Sequence, residues 1–171
     1  GQFLGLDLPY HDPQSAYSLG YSSPVYGFGY RPNPGSYNSR KLFADGEILY
    51  DVVYSIGDDG YRQELAPAPF DAYIFGGSFT FGEGLNDDET LSWFLLHEHG
   101  INVKSVGVHG YGLHQALYNI KNGITSVDGV NILLTAPWHA IRSACRPSWV
   151  AGTFRYYANN NVAILDGVCP G

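Results

Sequence analysis

Residues 70–84 read FDAYIFGGSFTFGEG, an apolar run that meets a glycine pair, a serine and a second glycine-spaced turn. Aromatic and β-branched residues without a helical period, stopped abruptly at Gly76-Gly77, spell a buried strand. Ser78 then sits where strand gives way to loop, at the carboxyl edge of a sheet, the edge on which open α/β folds carry their chemistry. The glycine pair lets backbone approach closely beside it. A serine presented in this way is a candidate nucleophile.

Working outward, strands and helices alternate. Asn86-Asp87-Asp88-Glu89 is an acidic, cap-like start to a helix over 90–99, with Leu91, Trp93, Phe94 and Leu95 as apolar positions and Gly100 as its stop. Residues 101–108 read as a second strand ending in His109-Gly110-Tyr111-Gly112. A second helix over 113–121 places Leu113, Ala116, Leu117 and Ile120 on one face and ends at Asn122-Gly123. A third strand over 130–135 runs into Ala136-Pro137-Trp138-His139. Strand, helix, strand, helix, strand is the pattern of βαβ crossovers and a parallel sheet. Each strand ends in a polar or glycine-rich loop, and these loops are expected on one edge.

The blocks GGSFTFGEG at 76–84, NDDET at 86–90 and VGVHGYGLHQ at 106–115 resemble those of the SGNH (GDSL-type) hydrolases and acyltransferases. The similarity is to the branch with a serine block G-[GD]-S-F-T-[FY]-G-E-G and a second block G-x-x-G-Y-G, and it covers residues 54–142. It implies an α/β fold with three αβα layers on a flavodoxin-like parallel sheet, preceded here by a β-hairpin and an irregular arm. It implies Ser78 as nucleophile, with the backbone N–H groups of Ser78 and Gly110 as oxyanion-hole donors. Gly77, His109, Tyr111 and Trp138 are then expected to line the substrate.

The chain departs from that family in three places. Gly77 stands where an acid usually precedes the serine. The third block, which normally supplies an Asn side chain to the oxyanion hole, reads Ala136-Pro137-Trp138-His139. Either His139 rebuilds the hole as a donor, or the hole is incomplete. The family's general base comes from an Asp-x-x-His segment, and the chain contains none. A serine hydroxyl is a weak nucleophile without a base in reach. The chain is therefore expected to be the first part of a longer hydrolase domain whose later histidine acts as base, or a relative that has lost its catalytic end.

Five of the six histidines fall in the strand–helix region. His97 and His99 lie at a helix end, where a cationic ring meets the dipole favourably, and read as surface residues. His109 and His139 sit at strand ends on the expected active edge, and His114 opens the next helix. The competing reading has these three hydrogen-bonding loop backbone. No tight spacing such as His-Glu-x-x-His occurs, so neither metal nor cofactor is expected.

The 171 residues, 44% apolar, suit one domain with a sizeable core. A net charge of −7 argues against nucleic-acid partners, because phosphate neutralisation needs clustered Lys and Arg. No run has the length and apolarity of a membrane span, and no signal peptide is evident. A start at Gly1 and the lack of any Met suggest a processed or partial chain. With 14 Tyr, 22 Gly and only 9 Lys plus Arg, the composition suits an exported, periplasmic or extracellular protein, with the cytoplasm as the alternative. Cys145 and Cys169 could close a disulfide over 147–167, adding about 3 kcal/mol, or stay free in a reducing cytosol; spacing does not choose between them.

Residues 1–40 read as an extended Tyr-, Gly- and Pro-rich arm, residues 41–69 as a β-hairpin lead-in and residues 70–171 as the α/β part. LFADGEILYDVVYSIGDDGYR at 42–62 carries Asp45-Gly46 and Asp58-Asp59-Gly60 turns around an alternating strand. Its YDVxYS…GYR portion, 50–62, resembles the lead-in of related sequences and is expected to wall the cleft, with Arg62 a candidate contact for a substrate carboxylate. A further hairpin is expected over 149–165 around Asn159-Asn160-Asn161. Two functions stay open. One is a serine esterase or O-acyltransferase acting on a small acyl ester, acetylated carbohydrate among them. The other is a non-catalytic structural or binding subunit that uses the Tyr-rich arm as a protein interface.

Overall fold

The computed structural model describes residues 2–3, 6–15, 20–123, 129–146, 148–160 and 162–171; Asn161, Pro147 and residues 16–19 of the arm lie outside them. Two short strands, β1 (Gln2–Phe3) and β2 (Leu6–Asp7), pair antiparallel. Then come β3 (Tyr10–His11), β4 (Ser22–Val25), β5 (Gly29–Pro32), β6 (Gly35–Leu42) and β7 (Ile48–Ile56). β6 and β7 form the expected hairpin, with Tyr37 opposite Tyr54 and Lys41 opposite Tyr50, and β3 adds to the far side of β6. Asp45-Gly46 makes its turn, where Gly46 takes a φ of 88°. β7 alternates as a half-buried strand should: Val52, Tyr54 and Ile56 point inward while Asp51 and Val53 face out. β6 starts at Gly35, so the hairpin reaches back across residue 40 into the stretch read as an arm.

That stretch also contains the β4–β5 hairpin, and its tip is core. Phe28 is 0% exposed, with its ring edge-on to Tyr111 at 5.1 Å and near Tyr118 at 5.2 Å. The Phe28 carbonyl accepts from the Gln115 side chain at 3.0 Å.

β8 (Ala72–Gly76) is buried along its whole length and is the centre of a parallel sheet. β9 (Val103–Gly107) lies on one side and β10 (Val130–Leu133) on the other. α1 (Ser78–Phe81) follows β8, α2 (Leu91–His99) leads to β9, α3 (Leu113–Lys121) follows it, and α4 (Pro137–Ser143) follows β10. α2 begins later than the sequence implies: Asp87–Glu89 form a separate 3-10 turn capped by Asn86, Thr90 rather than that acidic run caps the Trp93 N–H, and Gly100 closes the end in the left-handed region as expected. β11 (Phe154–Asn159) and β12 (Val162–Val168) form a C-terminal hairpin turning at Asn160. The Phe154 ring stacks on Tyr118, and a Cys145–Cys169 disulfide ties the end of this hairpin to the loop after α4.

The expectation of three αβα layers on a flavodoxin-like sheet is overturned. Among the described residues the parallel sheet has three strands, accompanied by four α-helices and several small antiparallel sheets. Two physical reasons stand out. No residue of α2 is fully buried, and β10 is exposed on both faces, with Val130 at 60%, so neither belongs to a closed layer. The place of a covering helix is taken by β-structure: Tyr54 of β7 packs edge-on against Phe81 of α1 at 4.9 Å. The Asp58-Asp59-Gly60 turn is pinned to the sheet because Lys104 of β9, largely buried, pairs with Asp59 and Glu64. No helix of the described residues is long and apolar enough to cross a membrane.

Candidate active site

Ser78 is the first residue of α1, directly beyond the carboxyl end of the central strand. From β8 the chain moves first to one neighbour and then to the other, so the crevice at this strand end lies where the sheet order reverses, a favoured place for ligands. The turn is tightened by the N–H groups of Gly82 and Glu83, both donating to the Ser78 carbonyl at 3.0 Å. The Ser78 hydroxyl makes no hydrogen bond to another described residue. Ser78 borders an open cleft of about 410 Å³ shared with Lys41, Tyr50, Glu83 and Gly84.

The two glycines before it are dictated by contact. A Cβ on Gly76 would meet the Leu134 carbonyl at 2.9 Å, as well as the Thr80 hydroxyl. A Cβ on Gly77 would lie 2.8 Å from Nε2 of His139 and 3.1 Å from Nη1 of Arg142. The space beside the serine is thus occupied by two side chains from α4.

Their placement follows from local sequence. Pro137 at the first helical position starts α4, and His139, two residues on, folds back so that Nδ1 accepts from the Ala136 N–H at 2.9 Å. Arg142, three residues further on the same helix face, donates from Nη1 to the Tyr111 carbonyl at 2.9 Å. Because Nδ1 of His139 accepts, the neutral ring carries its hydrogen on Nε2. Burial, and then the Arg142 charge, push the His139 pKa below its ordinary value, so neutral is its state at pH 7. That Nε2–H is buried and has no partner among the described residues. A buried donor left unpaired is costly and attracts an acceptor.

The remaining histidines have other occupations. His97 and His99 are exposed. His109 lies against Phe81, ring centroids 4.1 Å apart, and its Nδ1–H donates to Glu83 Oε2 at 3.2 Å. Burial pushes the His109 pKa down. Burial also pushes the Glu83 carboxyl up, but the His109 hydrogen bond and the nearby Lys41 and His11 outweigh it and hold it at about 2. His114 is buried, with Nδ1 3.2 Å from the Ser143 hydroxyl, and desolvation lowers its pKa to about 4. Ser143 also accepts from the Leu113 N–H at 2.9 Å, capping α3 from α4.

Of the residues expected to line a substrate, Gly77 adjoins the serine and Trp138 lies across from Phe79 in a neighbouring hollow, whereas the Tyr111 side chain is core. Its hydroxyl donates to the Tyr30 carbonyl at 2.7 Å, and only its own carbonyl reaches Arg142. The Tyr30 hydroxyl in turn donates to the His109 carbonyl, which anchors the turn that carries Gly110. Arg62 is not free for a substrate carboxylate: it is buried against Tyr54 and Phe81 and donates to the Leu85 carbonyl at 2.8 Å. Sequence reasoning passed over Arg142, Ser143 and Glu83; Tyr50 opens the 50–62 segment expected to wall the cleft, and it does line it. For the first two a signal was present, since Pro137 after an extended run marks a helix start and places 139, 142 and 143 within its next turns.

No family model, curated protein or solved structure matches the chain. What the site can do is therefore read from its chemistry: a hydroxyl with no hydrogen-bond partner among the described residues at a strand end, a neutral buried N–H donor against the preceding glycine, and a cleft open to solvent.

Proposed function

We propose that the chain carries the nucleophilic part of an SGNH-like acyl-ester site, a serine esterase or O-acyltransferase centred on Ser78. The observation that carries this reading is the His139 Nε2–H, buried, without a partner among the described residues and set against Gly77. Attack of Ser78 Oγ on an ester carbonyl places negative charge on the carbonyl oxygen, and preorganised donors stabilise that charge most effectively. The N–H groups of Ser78 and Gly110 and the His139 ring are the donors assigned here. Collapse of the intermediate breaks the ester C–O bond. The alcohol leaves with the proton that Ser78 gave to its base, and water or an acceptor hydroxyl then takes the acyl group while its own proton returns to the serine.

Ser78 must give its own proton to a base, and His139 is not that base. Its Nδ1 is engaged by Ala136, and its Nε2 already holds a hydrogen. A second reading, a binding subunit that keeps the site without turnover, is favoured by one observation: no described residue bonds to the Ser78 hydroxyl.

A fluorophosphonate probe with peptide mapping separates the two. The acyl-transfer reading predicts covalent modification at Ser78, none in Ser78→Ala, and labelling slowed roughly a hundredfold in His139→Ala, the scale on which loss of one oxyanion donor acts. A folded protein that is not labelled would leave the binding subunit as the better reading.

A further inference from the structure

Two hollows flank Phe79, the residue after the serine, and Ser78 itself lines one of them. On one side are Lys41, Tyr50 and the Glu83 carboxylate. On the other is a hollow of about 310 Å³ walled by Phe79, Leu134, Ala136 and Trp138, with His139 at its edge. Phe79 is 74% exposed and Trp138 40% exposed, and their rings lie 5.8 Å apart at an angle of 39°. Two large rings left facing water around one concavity mark a site for an apolar ligand rather than ordinary surface.

We infer that this Phe79–Trp138 hollow is the acyl subsite and that it selects a linear acyl chain longer than acetyl, with the polar alcohol lying toward Glu83 and Tyr50. The inference rests on the acyl-ester reading of Ser78. Its geometry is set by His139. The carbonyl carbon that reacts with Ser78 bears both the oxygen that takes up the Nε2–H and the acyl chain, and His139 lies on the apolar side of Phe79. The other hollow holds a carboxylate and an ammonium group, which suit hydroxyls and would be desolvated at a cost by an alkyl chain. An acetyl methyl displaces about one water's volume, roughly 30 Å³, and would leave most of the apolar hollow wet against the two rings.

The test uses N-methyl alkanamides from acetamide to octanamide, uncharged ester mimics that do not turn over, titrated by amide-resolved NMR into the full chain and into Ser78→Ala. Affinity is expected to rise about two- to threefold per added methylene in both, somewhat less than full burial would give. Shifts should centre on Leu134 and Ala136. The gain should flatten in Trp138→Ala and in Phe79→Ala, two solvent-facing truncations that leave the core intact. Equal binding of acetamide and octanamide, or a gain that survives both truncations, overturns the subsite even if Ser78 is labelled by the fluorophosphonate. A chain-length gain without labelling upholds the apolar subsite and removes the hydrolase reading instead.

Discussion

His114 shows how a single buried ring couples this fold to pH. It is buried at the start of α3 with the Ser143 hydroxyl facing Nδ1, and desolvation holds its pKa at about 4 against an ordinary 6.5. The unfolded chain therefore takes up a proton that the folded chain refuses, so stability is lost as pH falls from 6.5 to about 4. That gap corresponds to about 3 kcal/mol. His11, His109 and His139 are pushed the same way by burial and steepen the loss. Urea midpoints measured across this range should fall with pH, and His114→Gln should remove a distinct share of the slope. An unchanged slope would mean that His114 is solvated. Glu83 acts lower, between its ordinary 4.5 and about 2, where protonation frees His109 and Lys41 from their carboxylate. At the same scale, Gly77 is a glycine because the space a side chain would take there is filled by His139 and Arg142.

Among the elements, the β4–β5 hairpin is the least expected, and its tip is anchored in the core. Its tip inserts Phe28 between Tyr111 and Tyr118, and its Tyr30 hydroxyl holds the His109 carbonyl. Phe28→Ala is expected to cost about 3–5 kcal/mol, the range for emptying a fully buried aromatic site, as read by chemical unfolding. A cost below about 1 kcal/mol would show instead that the hairpin docks only loosely. The segment after the serine shows a second use of local chemistry. Asn86 and Asp87, read from sequence as helix-start residues, also accept from the Val53 and Ser55 N–H groups and so occupy donors of β7. The hairpin turn, the three parallel strands and the helices α2 and α3 were legible because each has a period, a cap or a glycine stop. α1 was not, since four residues are too few to show a period. The aromatic hairpin was not, because its buried residues have no regular spacing.

For the molecule as a whole, the Cys145–Cys169 disulfide closes a loop spanning 24 positions and joins the C-terminal hairpin to the segment bearing His139 and Arg142. Replacing both cysteines with serine is expected to lower stability by about 3 kcal/mol through the freed chain entropy of the unfolded state. Equal urea midpoints for the variant and the oxidised parent would refute this. By itself the sequence determined the βαβ order, the position of Ser78 at a strand end, the lead-in hairpin and the presence of histidines on the loops, because these depend on periodicity, turn residues and neighbours within a few positions. Only the tertiary structure decided how many layers form, that Tyr21 and Phe28 of the N-terminal part are core, and that His139 Nδ1 accepts from Ala136 and leaves Nε2–H against Gly77. Those outcomes depend on contacts between residues distant in sequence. The His139 placement comes from a hydrogen bond from Ala136 combined with the closeness of Gly77, some sixty positions away, and no local pattern encodes that pairing.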